Sequence, residues 1–263
     1  MKLYIMNCGQ MITPDGNILA AFNTEQLRLV IPVPAYLIEH PTEGLVLIDC
    51  GFDYNHLPDE MKYGIAASPL QRLTRQIERL GYRSEDVRHV VISHLHFDHA
   101  GQMRDFPKAT FHMRESEWSM AIPPSRGDYI PADYMAARAF RFDYIPENTD
   151  YDLFGDGTIL CLDTKGHSPG HTSFLIALPH TGNVLLTVDA AHMPQYFETD
   201  HRGGQTQRAG ANFRTGEGKN QPGTGLRGRK ACAEGRCAAL RTRSGFAGQG
   251  EKSAGLLRLS NPF

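Results

Sequence analysis

The sequence predicts an α/β fold, a β-rich sandwich that carries its chemistry along one rim. Apolar, β-branched runs of strand length are separated by turn signals from Leu3 to Asp189, stretches of helical spacing fall between some of them, and several runs end in Asp or His. With 263 residues, 41% of them hydrophobic, the chain can bury a substantial core in one large or two small domains.

Taken in order, Leu3 to Cys8, Leu27 to Glu39 and Leu45 to Asp49 read as strands, with turns at Pro14-Asp15-Gly16 and His40-Pro41-Thr42-Glu43-Gly44. The second turn predicts a hairpin joining Tyr36-Leu37-Ile38 to Val46-Leu47-Ile48. Ser68-Pro69 opens a helix with Leu70, Leu73, Ile77 and Leu80 on one face and Gly81 as its stop. The acidic turn Ser84-Glu85-Asp86 leads to a strand from His89 to Ser93. A short helix, a strand from Ala109 to Met113 and a helix from near Glu115 follow. Residues 121–150, rich in proline and aromatics, read as an excursion from the sheet. Thr158 to Asp163 and Thr172 to Leu178 are strands, and a turn at Pro179 to Asn183 leads to Val184 to Asp189, a run ending in a carboxylate.

The densest chemistry is Ser93-His94-Leu95-His96-Phe97-Asp98-His99-Ala100-Gly101. An isolated histidine is usually a hydrogen-bonded core or surface residue. Three imidazoles and a carboxylate at i, i+2, i+4 and i+5 on one strand-to-loop edge point instead to a metal centre. A second cluster, Gly166-His167-Ser168-Pro169-Gly170-His171, occupies a glycine-punctuated loop between two strands. Imidazole and carboxylate without thiolate suit Zn(II), with Fe(II), Co(II) and Mn(II) also compatible.

Charge divides the chain. Residues 1–201 hold 15 Lys+Arg against 26 Asp+Glu, whereas 202–263 hold 12 against 3, together with 13 of the 26 glycines and no Asp, Ile, Val, Met, Tyr, Trp or His. Such a tail cannot bury enough surface to offset its ordering entropy, so disorder or poor packing is expected from Arg202 onward. Out-of-frame translation of a GC-rich gene accounts for the break better than a basic nucleic-acid-binding tail, because aromatics are sparse there. No apolar stretch reaches the roughly 18 residues that span a membrane, and Met1 to Gln10 lacks the pattern of a signal peptide. Five scattered cysteines argue against a disulfide framework, and Cys232 and Cys237 have no second pair to make a zinc site. A cytoplasmic protein with no membrane association is the expectation.

The two clusters resemble the metallo-β-lactamase superfamily, whose His-x-His-x-Asp-His signature His94 to His99 match throughout. Within it, the first motif, Gly166 to Ser173 and Leu185 to Ala190 are most similar to the N-acyl-homoserine lactonases. The resemblance covers about residues 1–200, including Ile31-Pro32-Val33-Pro34 and Ile48-Asp49-Cys50-Gly51. It implies an αβ/βα sandwich, two mixed β-sheets flanked by helices, in a hydrolase domain over 1–201 that lacks the C-terminal part of the fold. By the same carry-over His94, His96 and His171 hold one of two divalent ions, Asp98 and His99 hold the other, and Asp189 bridges them. The family's seventh ligand, a His in a late Gly-His context, has no counterpart, since the last histidine is His201; His192 and His201 are the imidazoles left to substitute.

The activity implied is opening of the lactone ring of a small-molecule N-acyl-homoserine lactone. Two ions about 3.5 to 4 Å apart share a water whose pKa falls towards ~7, and its hydroxide attacks the ester carbonyl. Asp98 would orient that hydroxide and pass a proton to the departing alkoxide. His192 stands where the lactonases carry a Tyr three residues after the bridging Asp, and is the substrate-orienting candidate. A glyoxalase II-like thioesterase uses the same ligands and is the enzyme alternative; the other is an impaired domain carrying a basic tail. His167 and Asp49 are read as supporting residues rather than ligands. Phe97 packs against substrate or against the sheet, and His40, His56, His89, His112 and His180 are surface or core histidines.

Overall fold

The computed structural model describes residues 1–13, 29–191 and 237–239. Strand β1 (Lys2–Thr13) lies antiparallel to β2 (Leu29–His40), which turns into β3 (Gly44–Ile48) with Tyr36 opposite Ile48 and Leu37 opposite Leu47, as the hairpin reading requires. Gly44 takes a φ of 78° there, a backbone setting that suits a residue without Cβ. Next come α1 (Asp59–Lys62), β4 (Ile65–Ala66), α2 (Leu73–Arg79), β5 (Val87–Val91), α3 (Phe97–Ala100) and β6 (Thr110–His112). The chain continues through α4 (Trp118–Ala121), α5 (Pro131–Tyr134), β7 (Arg141–Phe142), β8 (Tyr151–Asp152), β9 (Ile159–Asp163), β10 (Thr172–Leu178), β11 (Gly182–Leu186) and β12 (Cys237–Ala239).

These strands form two sheets, ordered β4-β1-β2-β3-β5-β6-β7 and β12-β11-β10-β9-β8. The first is mixed: β3, β5, β6 and β7 run parallel, and the helices α2 to α5 lie in their crossovers. Alternation along β2 and β3 then builds two cores. Leu37, Leu45 and Leu47 join Leu73, Ile77, Ala100, Phe106 and Tyr134 between sheet and helices. Tyr36, Ile38, Val46 and Ile48 face Phe174, Ile176, Val184 and Leu186 of the second sheet. Leu37, Ile38, Leu47 and Ile48 are wholly buried, each contributing about 1.5–3 kcal/mol of apolar burial. The described residues thus form a two-sheet sandwich with helices on the outer face of the first sheet.

Three expectations change in detail. The helix expected from Ser68 divides: Ser68 caps a single 3-10 turn, Pro69–Gln71, and α2 begins only at Leu73, because Arg72 is extended to pair with Asp53 and Asp105. The 121–150 excursion returns to the first sheet, where Arg141–Phe142 pair in parallel with Thr110–Phe111. The strand expected to end in Asp189 stops at Leu186, and Asp189 lies on the following turn, Val188–Ala190. His192, His201 and the 202–263 tail lie outside the described residues, apart from β12, which pairs in parallel with β11. Among the described residues no helix is long and apolar enough to cross a membrane.

Candidate metal centre

The centre is assembled where two parallel strands end side by side. The Asp49 N–H donates to Val91 O at 2.9 Å, so the residues after β3 lie beside those after β5. Between β5 and α3 the chain is neither strand nor helix; Leu95 is buried in the helix-side core, while His94 and His96 meet each other and the other imidazoles. His96 is then the N-cap of α3, whose first turn carries Asp98 and His99. Gly101 lets the loop after β3 close over this turn: a Cβ there would stand 2.3 Å from Phe52 Cα and Asp53 N. Backbone hydrogen bonds from Cys50 N–H to His99 O (2.7 Å) and from Gly101 N–H to Gly51 O (2.7 Å) knit the two segments.

Two groups of ligand atoms converge, each within 4.8 Å: His94, His96, His167 and Asp189 in one, Asp98, His99 and Asp189 in the other. Asp189 belongs to both. Its Oδ2 lies 3.3 Å from His167 Nε2 and 3.8 Å from His94 Nε2, and its Oδ1 lies 3.5 Å from His99 Nε2. His96 Nδ1 is 3.1 Å from His94 Nε2 and 3.0 Å from His167 Nε2. The structure therefore brings together His94, His96, Asp98, His99 and Asp189, and adds His167. His171 is buried with its ring centroid 5.1 Å from that of His94, and its Nε2 accepts the Asp189 N–H at 3.2 Å. Phe97 is partly buried against the helix-side core.

Hydrogen bonds hold three of the rings, His94, His99 and His171, from outside through Nδ1. Asp49, 1% exposed, accepts the Ser93 N–H (2.8 Å) and the Ser93 hydroxyl (2.9 Å), and lies 2.8 Å from His99 Nδ1. The Ser93 Oγ, its proton given to Asp49, accepts from His94 Nδ1 at 3.0 Å. Thr164 Oγ1 plays that part for His171 Nδ1 at 2.8 Å. In each case Nδ1 is held from outside and Nε2 is the nitrogen turned to the centre, towards Asp189, the arrangement that outer partners of metal-bound histidines impose.

Electrostatics tests whether divalent cations suit these residues. Burial, reinforced by the neighbouring imidazoles, holds His94 and His171 well below the usual histidine range, so both rings are neutral donors. Burial also works against charge on His99, yet the carboxylates of Asp98, Asp189 and Asp49 outweigh it and hold the ring well above its ordinary value. Asp98, against its own burial, is kept low by His99. Three carboxylates focused on one ring mark a place that calls for positive charge. The nearby thiols are held protonated, Cys8 at about 12 and Cys50 well above the ordinary thiol, through burial and then Asp49. Neutral imidazoles and carboxylates without thiolate fit the divalent cations expected from the sequence.

Residues with no ligand spacing in sequence also reach the centre. Tyr129 sets its ring edge-on to His96 with centroids 4.7 Å apart, and Asp128 Oδ2 lies 3.5 Å from His96 Nε2, an atom without a hydrogen-bond partner among the described residues. The aromatic richness of residues 121–150 was the only sequence signal for this wall. Glu117, fully buried, contacts both ligand loops and had no signal at all.

Comparison with known proteins agrees with this geometry. N-acyl homoserine lactonase AttM of Agrobacterium fabrum is 37% identical over 180 residues, covering 64% of this chain and 68% of that protein. N-acyl homoserine lactonase AiiA of Bacillus thuringiensis subsp. kurstaki is 29% identical over 208 residues, covering 76% and 79%. The chain thus spans roughly two thirds to four fifths of these relatives. Among solved structures, a quorum-quenching N-acyl homoserine lactone lactonase superposes with a TM-score of 0.65 at 29% identity over 75% of this chain and 77% of its own. An N-acyl homoserine lactone hydrolase with the product N-hexanoyl-L-homoserine at its catalytic metal center gives the same TM-score of 0.65 at 29% identity, over 75% and 78%. Residues 28–219 match the Metallo-beta-lactamase superfamily, and with that signature, sandwich and convergent donor set in place the chain belongs to this superfamily.

Proposed function

We propose that the chain is a divalent-metal-dependent hydrolase that opens the lactone ring of N-acyl-homoserine lactones. One observation carries the reading: a single carboxylate, Asp189, is common to two convergent donor groups, in a fold whose relatives are named for that activity. His94, His96 and His171, with His167 beside them, are proposed to hold one cation, Asp98 and His99 the other, and Asp189 to join the two; Zn(II) is the proposed metal. When bound, such a pair polarises an ester carbonyl and lowers the pKa of water.

The chain's own residues supply the rest. Asp98, although burial opposes its charge, is held below the usual carboxylate range by His99 and is ionised at neutral pH. Its carboxylate accepts a proton from the attacking water and returns it to the ring alkoxide as the acyl C–O bond breaks. One ester and one water give one acid and one alcohol, and the acid ionises to release a proton. Tyr129, 3% exposed, walls the His96 side; burial pushes its phenol well above the ordinary tyrosine range, so it stays protonated and excludes water there. His192 is proposed to orient the substrate on the strength of its place three residues after Asp189.

Acid release from N-hexanoyl-homoserine lactone by the zinc-loaded full chain, followed with a pH indicator beside thiol release from a glutathione thioester, tests the reading. The expected outcome is acid from the lactone without thiol from the thioester, with a loss of at least about 100-fold in His94→Ala. Thiol release without acid release overturns the lactonase assignment.

A further inference from the structure

Glu117 is a carboxylate with 0% exposure, and the hydrogen bonds its oxygens accept come from neutral donors. It ends the 3-10 turn Glu115–Glu117 that leads into α4. Burial raises its pKa, against three hydrogen bonds that favour the charged form. Those three bonds all go to the two segments that carry the histidines. Oε2 accepts the Leu95 N–H at 3.1 Å, and Leu95 is the residue between His94 and His96. Oε1 accepts the Ser168 hydroxyl and the Gly170 N–H, each at 2.6 Å, and these residues lie between His167 and His171.

The close fit around this carboxylate is built into the neighbouring residues. A Cβ on Gly170 would stand 2.8 Å from Arg114 Cβ, 2.8 Å from Ser116 Oγ and 3.0 Å from Glu117 Cγ, so glycine allows the loop to press against the turn. A second tie runs beside the first, from the Thr172 N–H to Ser93 O at 3.1 Å. Only a carboxylate completes the set. Two of the donors are backbone N–H groups, which cannot reverse, and they approach different oxygens. A glutamine would aim its NH₂ group at one of them and leave two donors facing each other.

We propose that Glu117 is a positioning residue of the metal centre: it holds the His94–His96 edge and the His167–His171 loop at the separation at which their imidazoles share one cation. The role rests on the reading that those imidazoles hold a divalent cation. Glu117 touches neither cation nor substrate, and acts through the backbone between the ligands, as outer partners of metal sites do.

The test uses the full chain and Zn(II) in competition with a chromophoric chelator, with the visible spectrum of the Co(II)-substituted protein as a second readout. Glu117→Gln is expected to weaken zinc binding about 10- to 100-fold and to alter the cobalt absorption bands. Ser168→Ala, which removes one of the three donors and keeps the backbone pair, is expected to lose several-fold and supplies the answer if Glu117→Gln does not fold. Ile176→Ala, placed in the core between the sheets, lowers stability without touching either loop and is expected to keep wild-type zinc affinity. Wild-type affinity and spectrum in the Glu117 variant, or in Ser168→Ala where that is the variant that folds, overturn the role. An Ile176→Ala loss as large as theirs overturns it too, since general destabilisation would then explain the effect. A wild-type chain that takes up no divalent cation overturns the reading of the centre itself, and the role with it.

Discussion

Asp133 is a carboxyl enclosed at 1% exposure, with Oδ1 2.6 Å from His56 Nδ1 and Oδ2 without a hydrogen-bond partner among the described residues. Burial, and then the nearby carboxylates of Asp53 and Asp98, push its pKa up to about 8. Because the unfolded chain titrates near 3.9, the folded state binds an extra proton between these values. The stability gained from protonated Asp133 is therefore complete below about 4 and is lost as pH rises through about 8. Asp133→Asn keeps the shape without the titration, so its thermal midpoint should climb relative to wild type between pH 5 and 9. Parallel midpoint profiles would contradict this. At this scale the sequence speaks clearly where candidate ligands are neighbours in the chain: His94, His96, Asp98 and His99 reach one place because the short segment after β5 passes directly into a helical turn. It is silent where the contact depends on tertiary folding. Glu117, Asp128 and Tyr129 reach the centre across other elements, and no spacing reveals which ring of His167 and His171 turns inward.

Elements were legible where apolar periodicity and turn chemistry agree. The β2–β3 hairpin follows from its alternating apolar run and the turn before Gly44. The helical pattern around Leu73 extends one turn beyond α2, because contacts far away in sequence decide the boundary: Arg72 leaves helical geometry to pair with Asp53 and Asp105, and Gln102 Oε1 accepts the Leu73 N–H at 2.9 Å. The short α3 is held more by its neighbours than by its own four residues. Gly101→Ala tests that dependence. Its new Cβ would meet backbone, at 2.3 Å from Phe52 Cα, and neither segment can yield without moving Asp49 or His99. Destabilisation of about 3 kcal/mol is expected from the denaturation midpoint, as for an overpacked core. A midpoint equal to that of wild type would show that the two segments separate at little cost.

Across the whole molecule, the sandwich was legible because each strand of the central hairpin serves two cores by alternation, and the second sheet supplies the matching apolar face. The distribution of charge carries a different message. An acidic chain to His201 and a basic one beyond it have the composition of two reading frames, and we propose that the break arises there. Read in another frame past codon 200, the coding DNA should yield a helix, a strand and a Gly-His pair; their absence from both other frames would end that explanation. Asp49 adds a constraint on how such a centre can diverge. One carboxylate stands behind His94 through Ser93 and behind His99 directly. Any substitution at that position is felt by both donor groups that share Asp189, so on the proposed two-cation reading selection cannot retune one group through it while sparing the other. On that reading, drift in metal preference enters through contacts that serve one side alone, such as Thr164 behind His171.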